Sequence, residues 1–298
     1  MSVGSTELNP AQHSWRVVIV TRVLPVALGF YEAVREAGHE PVAVLTIRDS
    51  DGRYGTFDIG GMLGQLPADL SVLLPASRSM IAPLLGSVKP DLVICMGFPW
   101  KVPPDALALP PQGWINGHPS FLPFHRGPVP VAWAIRAGDE EIGITFHRMD
   151  AELDTGAILA QRSMEIGDYT EPDAFYPRMG PVVIETLKDA LAKLAAGEPG
   201  TTQAGEGTYE SFFTDDDATL DFSRPALELH RLVWAWRYSI PRGTLHGALA
   251  EVDGETVRVL ASSLAEVDGA ARVECADGPL WLVKTEPVPA ETPPTPAA

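Results

Sequence analysis

Up to residue 200, short runs of consecutive apolar, mostly β-branched residues alternate with segments whose apolar positions recur at helical spacing. Arg16–Thr21 is the first such run and reads as a strand buried on both faces. Phe30, Val34 and Ala37 then share one helical face, and Gly38 stops that helix. Pro41–Ile47 and Ser71–Leu74 follow as strands, and Ser79–Val88 as a helix ended ahead of Pro90. Asp91–Met96 is a strongly apolar central strand. Further on, Ala132–Ala137 reads as a helix, and Gly143–Met149 and Ile158–Met164 as strands. Pro181–Ala196 is a long helix with Val183, Leu187, Leu191 and Leu194 on one face, closed by Gly197 and Pro199. Residues 55–70 are glycine-rich and carry no readable period. The alternation predicts an α/β fold, a Rossmann-like doubly wound and mostly parallel sheet. Such sheets place their sites beyond the carboxyl ends of the strands. The first strand is followed by Arg22-Val23-Leu24-Pro25 in place of GxGxxG, so a dinucleotide fingerprint is missing.

The pattern changes after residue 200. Thr201–Thr208 is rich in Gly and Thr with no period, and residues 201–215 are assigned to a linker. Ser223 reads as an N-cap with Pro225 in the first turn of a helix running to about Trp236. Two hairpins follow around Asp253-Gly254 and Asp277-Gly278, with strands at 244–251 and 256–261, then 271–275 and 280–284. One helix and four short strands predict a small C-terminal β-barrel, OB-like, over residues 216–286. Residues 1–14 read as a flexible leader, 15–200 as the catalytic domain and 287–298, rich in Pro and Ala, as a disordered tail.

Composition adds constraints. Two cysteines, Cys95 and Cys275, form no CxxC pair, which predicts a cytoplasmic protein with reduced thiols and no structural zinc. Cys95, inside an apolar run, reads as a small core residue. The seven histidines contain no HExxH, so no metal site is expected. The apolar runs are too short to span a bilayer, and the first residues lack a secretory pattern. Net charge is −17, and beyond residue 200 there are 7 Lys and Arg against 16 Asp and Glu. A phosphate-rich partner would need a local basic patch against that field. Arg231, Arg237 and Arg242 could form one.

The chemistry concentrates in Asn116-Gly117-His118-Pro119-Ser120-Phe121-Leu122-Pro123, after the apolar lead-in Gly113-Trp114-Ile115. At a strand end, Asn116 and His118 project to the same side. An amide donor beside an imidazole suits reactions at a carbonyl carbon: one stabilises an oxyanion, the other moves a proton. The same residues could equally satisfy local backbone groups. A second signal is Met149-Asp150-Ala151-Glu152-Leu153-Asp154-Thr155-Gly156, on the loop between two strands.

Asn116-x-His118, Ser120-x-Leu122-Pro123, Arg126-Gly127, Ala137-Gly138-Asp139, Gly143-Ile144-Thr145 and Asp154-Thr155-Gly156 occur in this order. Together they resemble the folate-dependent formyltransferase family, which includes methionyl-tRNA, sugar-amine and glycinamide ribonucleotide formyltransferases. The resemblance covers residues 15–200 well and the remainder loosely. It implies the formyltransferase fold and a reaction in which a primary amine attacks the formyl carbon of 10-formyltetrahydrofolate. Carried over position by position, it makes Asn116 the oxyanion donor, His118 the proton-transfer group and Asp154 the carboxylate that orients His118 or a water. The resemblance also implies that the loop beyond Met96 lines a pterin pocket, with Met96, Gly97, Phe98 and Trp100 as folate contacts. Phe98-Pro99-Trp100 departs from the Tyr or Arg-Tyr that the family often carries there. Asp150 reads as a turn-former and is included among the candidate folate contacts. Ser120, Arg126 and Gly127 are candidate acceptor-binding residues. Ser120 could also bond the loop backbone, and Arg126 could instead hold the loop to a carboxylate. His125 and His147 read as structural or surface residues.

Three functions are weighed. The first is an N-formyltransferase; the acidic charge and the few basic residues at Asp49–Gly55 favour a small-molecule amine, such as an amino sugar or amino acid derivative, over methionyl-tRNA. The second is a 10-formyltetrahydrofolate hydrolase, against which Asn116 argues because the hydrolase domain of the dehydrogenases differs there. The third is a folate-binding protein without turnover.

Overall fold

The computed structural model describes residues 14–48, 59–167, 169–240 and 247–288. Residues 1–13 of the leader, the turn at 49–55, Arg242 and nearly all of the tail lie outside the described residues. The chain divides into two compact units. The first contains, in order, β1 (Arg16–Val20), α1 (Leu24–Glu36), β2 (Glu40–Leu45), α2 (Ile59–Gln65), β3 (Ser71–Leu73), α3 (Ile81–Val88), β4 (Leu92–Cys95) and α4 (Pro104–Leu107). β5 (Trp114–His118) begins in this unit and ends in the second. The second continues with α5 (Pro130–Ala137), β6 (Glu141–Arg148), β7 (Ile158–Glu165), α6 (Pro172–Ala195), α7 (Ala226–Tyr238), β8 (Ala248–Val252), β9 (Glu255–Ser263), β10 (Ala271–Cys275) and β11 (Gly278–Pro287).

Seven strands form one sheet in the order β3-β2-β1-β4-β5-β6-β7. β1 pairs in parallel with β2 and β4, β2 in parallel with β3, and β6 antiparallel with β7. The sheet is therefore mixed and mostly parallel, as the alternation of strands and helices predicts. Val17 to Val20 and Leu92 to Ile94 are completely buried, which is why both runs are continuous rather than alternating. Each such side chain contributes about 1.5–3 kcal/mol by leaving water.

Three helix starts differ from the sequence reading. α1 begins at Leu24, ahead of the expected Phe30, because Pro25 occupies the first turn, where its fixed φ favours helix and its missing N–H costs nothing. α6 begins at Pro172 rather than Pro181 and runs through Pro177 and Pro181. Burial of Phe175 and Met179 accompanies that extension and offsets the lost helical bonds. α7 is not capped by Ser223: its N-cap is Pro225, and the Ala226 N–H instead donates to Asp277 Oδ1 at 2.7 Å. That cap comes from the turn between β10 and β11, a distant partner that local sequence does not display. Residues 55–70 contain α2, which its glycines obscured.

The C-terminal strands form an antiparallel half-barrel in the order β10-β11-β9-β8. Asp253 and Gly254 both have positive φ, the condition for a tight hairpin turn. Leu229 and Val233 of α7 are buried, as are Val259, Leu280 and Leu282 of the sheet. Cys95 is buried, and neither it nor Cys275 is joined in a disulfide.

Several motif glycines have packing reasons in the second unit. A Cβ on Gly143 would overlap the Phe121 backbone nitrogen, and one on Gly156 the Arg148 carbonyl oxygen. Gly138 closes α5 at φ 83°, donating to the Ala134 and Ile135 carbonyls. Gly86 in α3, by contrast, has open space around its Cβ position. Gly156→Ala should therefore destabilise the protein by about 1–3 kcal/mol, whereas Gly86→Ala should stabilise it by about 0.4–1 kcal/mol. Urea unfolding of both variants checks this, and an unchanged midpoint for Gly156→Ala would refute the packing argument.

Candidate active site

The carboxyl end of β5 carries Asn116 and His118, and His118 is buried at 4 % exposure. Its Nε2–H donates to the His125 carbonyl oxygen at 2.8 Å. A carbonyl can only accept, so the neutral ring keeps its lone pair on Nδ1. Nδ1 lies 3.7 Å from Asp154 Oδ1. His125, at φ 54°, is itself held by Asp139 Oδ2, 2.9 Å from its Nε2, and by its own N–H donating to Thr208 Oγ1. This gives the Ala137-Gly138-Asp139 motif a role: Gly138 ends α5 and Asp139 fixes the residue whose carbonyl orients His118.

The loop after β5 is tied down by its own polar groups. The Ser120 hydroxyl donates to the Phe124 carbonyl at 2.7 Å, and Thr145 on β6 donates to the Ser120 carbonyl at 2.6 Å. Gln161 on β7 reaches the Leu122 carbonyl and Thr145 Oγ1. The Leu122–Pro123 bond is cis. Ser120 is thus buried and engaged with the backbone, the second of its two expected uses.

Asp154 sits at φ 58° on the loop between β6 and β7. Its Oδ2 accepts the Gly127 N–H at 3.0 Å. Its Oδ1 lies 3.5 Å from Asn116 Nδ2, 3.6 Å from His147 Nε2 and 3.7 Å from His118 Nδ1. Asn116, His118 and Asp154 are therefore brought together. Asp150 is not: its Oδ1 accepts from the Glu152 N–H and the Thr155 hydroxyl, so it shapes the turn. Arg126 directs Nε and a terminal nitrogen to Gln203 Oε1, at 3.2 and 2.7 Å, so its partner is an amide rather than a carboxylate.

His147 is the residue that sequence reasoning passed over as structural or surface. It is 2 % exposed, and its Nε2 faces Asn116 Nδ2 at 3.3 Å as well as Asp154. β6 is buried on both faces from Ile142 to His147, so no alternation of apolar and polar residues marks which of its side chains faces the site. The available signal was a titratable residue at the end of a buried strand, directly ahead of the Asp150–Gly156 loop.

Burial pushes His118 below the usual imidazole range, and the Asp154 charge opposes that. Burial also works to raise the Asp154 carboxyl, but His118, His147 and the Gly127 N–H outweigh it and bring it to about 2. Near neutrality the site therefore holds an ionised carboxylate and a neutral His118 able to accept a proton on Nδ1. In the first unit, Met96 is buried at the end of β4, Gly97 turns the chain at φ 66°, and the Phe98 and Trp100 rings meet edge-on at 5.9 Å.

Residues 75–187 match the family described as formyl transferase. The methionyl-tRNA formyltransferase of Roseiflexus sp. (strain RS-1) is 32% identical over 261 residues, spanning 83% of this chain and 77% of that protein. The methionyl-tRNA formyltransferase of Pseudomonas fluorescens (strain Pf0-1) is 35% identical over 245 residues, spanning 80% and 75%. The chain belongs to the folate-dependent formyltransferase family.

The formyltransferase also shares its fold with solved structures. HypX from Aquifex aeolicus in complex with tetrahydrofolic acid aligns at TM-score 0.62 and 20% identity, over 92% of this chain. The chain spans only 44% of that longer protein. A sugar N-formyltransferase from Shewanella sp aligns at TM-score 0.63 and 21% identity, over 85% of this chain and 100% of that one. Among the described residues, no helix of the formyltransferase is long and apolar enough to cross a membrane.

The expected preference for a small-molecule amine over tRNA is corrected by these comparisons, because relatives that span most of the chain are methionyl-tRNA formyltransferases. The preference rested on summed charge, whereas nucleic-acid affinity depends on where individual cations face phosphate. Of the three arginines suggested for a basic patch, Arg242 lies outside the described residues. Arg237 pairs with Glu171, and the Arg231 guanidinium lies against Gly138.

Asp154→Asn should lower turnover by about 10²–10⁴-fold while folate affinity changes little, since the carboxylate acts on a proton-transfer step. Steady-state kinetics with a folate-binding titration checks this, and near-parental turnover would remove Asp154 from the site's chemistry. The pH profile of kcat/KM should fall on the acid side with an apparent pKa below 6.5. The sign follows from burial: His118 stays neutral to lower pH than a free imidazole and loses its proton-accepting form only below that. An acid limb above 6.5 would contradict it.

Proposed function

We propose that this enzyme is a cytoplasmic methionyl-tRNA formyltransferase that moves the formyl group of 10-formyltetrahydrofolate to the amino group of methionine esterified to tRNA. The observation that carries the acceptor is the identity of 32–37% to proteins of that name, across as much as 86% of this chain. The sugar N-formyltransferases resemble it at about 20% identity, a likeness of fold.

The folate supplies an electrophilic formyl carbon. Two half-buried rings, Phe98 and Trp100, and a backbone turned at Gly97 suit a flat bicyclic group with a hydrogen-bonding edge. The chain's own residues supply the rest. The Asn116 amide donates to the oxygen that gains negative charge, and one such donor is worth about 10²–10³ in rate. His118 accepts the amine proton on Nδ1 and passes it to the leaving nitrogen. Asp154, ionised and 3.7 Å away, stabilises the imidazolium in between. The Gly127 N–H keeps the carboxylate in place.

The test offers 10-formyltetrahydrofolate with charged initiator tRNA, a nucleotide-linked amino sugar or water alone, and identifies products by mass. Formylmethionyl-tRNA should form fastest. Its KM should rise about tenfold between 50 and 200 mM salt, as expected for a few phosphate contacts, with the folate KM nearly constant. Formylation of the amino sugar with methionyl-tRNA untouched would overturn the acceptor. Tetrahydrofolate released at a rate indifferent to any amine would point to a hydrolase.

A further inference from the structure

The segment 201–210 is engaged with both loops that build the site. Thr201 exchanges two backbone hydrogen bonds of 2.8 Å with Ile158, at the start of β7. Gly207 packs where a Cβ would strike the Pro123 carbonyl oxygen, and the Thr208 N–H donates to that oxygen. The Arg126 N–H donates to Thr208 O, and the Glu210 N–H donates to Arg126 O. Between these anchors lies Gln203. Its Nε2 donates to two carbonyls of the acid loop, Asp154 O and Gly156 O, each at 2.8 Å. Its Oε1 accepts both nitrogens offered by Arg126.

We propose that Gln203, braced by Arg126, is a positioning residue that sets the place of the Asp154 carboxylate relative to His118. Every hydrogen-bonding group of its amide is used, and the four bonds connect two loops rather than one. Asp154 stands at φ 58°, a conformation a non-glycine residue adopts only when its surroundings hold it. Gln203 holds its carbonyl, while Gly127, the residue after Arg126, holds its carboxylate. One amide thus fixes both the backbone of the acid and the residue beside the N–H that aims it. Gln203 touches none of the groups that move protons and acts only through Asp154. The inference rests on the formyl-transfer reading for its kinetic consequence, but its geometric consequence is independent.

The charged and titratable groups that face His118 are Asp154, His147 and His125. The Asp154 charge and the His125 carbonyl favour the protonated ring, so a carboxylate that drifts from 3.7 Å should let the His118 titration fall to lower pH. The experiment compares the full-length wild type with Gln203→Ala and Gln203→Glu, and with Thr202→Ala as the neighbouring control. It measures kcat and the folate KM with methionyl-tRNA, the thermal midpoint, and the His118 imidazole titration by NMR. Gln203→Ala should lose about 10–100-fold in kcat, the scale of a small misplacement of a reacting group. Its folate KM should stay within about twofold, and its His118 titration should move to lower pH. Gln203→Glu keeps a partner for Arg126 but offers the two carbonyls no N–H, so it should share both effects.

A glutamate variant with wild-type kcat and titration would overturn the proposal, as would an alanine variant whose His118 titrates unchanged. Unfolding of both variants at assay temperature would also overturn it, by making Gln203 a determinant of folding. If the wild type itself leaves methionyl-tRNA unformylated, the acceptor assignment falls, while the imidazole titration still judges Gln203.

Discussion

A carboxylate taken out of water must find partners or lose its charge. At Asp154 the partners are a backbone N–H on one oxygen and, around the other, an amide and two imidazoles. The N–H bond has an ordinary length of 3.0 Å, and the other three distances are 3.5 Å or more. The acid is therefore fixed from one side and left open on the other, where a proton-accepting nitrogen faces it. Most features of the second unit follow from keeping that asymmetry. His118 is turned by the His125 carbonyl, His125 is held by Asp139, and the acid loop is tied to Arg126 through Gln203.

The glycines of the motifs belong to the same constraint. Gly143 and Gly156 are places where one backbone comes so close to another that a methyl group has no room. Gly127 serves differently: at φ 118° it presents its N–H to Asp154 and packs against the Glu210 carbonyl. Loops that carry chemistry need rigid support, and here the support is mostly backbone carbonyls answered by side-chain amides and hydroxyls. Ser120, Thr145 and Gln161 do for the loop after β5 what Gln203 does for the acid loop.

Charge carried less information than it offered. The acidic total of −17 is real, yet it describes the field far from the protein and not the few contacts that select an acceptor. Arginines that look available along the chain are committed in space: Arg126 to Gln203, Arg237 to Glu171, and Arg136 to Asp217 with Trp133 beneath it. Similarity over 80–86% of the chain to relatives named methionyl-tRNA formyltransferase is spread over many positions that no single motif records.

The sequence alone determined the α/β class, most strands to within a residue or two, both C-terminal hairpins, and the pairing of Asn116 with His118. These follow from local rules: β-branched runs, alternation across a strand, and turns that require positive φ. The tertiary structure decided the cap of α7 by Asp277, the extension of α6 through two prolines, and the inclusion of His147 beside Asp154. It also revealed that residues 201–210, read from composition as a linker, meet both motif loops. Each of these depends on burial or on partners that only the folded chain supplies. Such contacts are created by folding, so no periodicity along the chain encodes them.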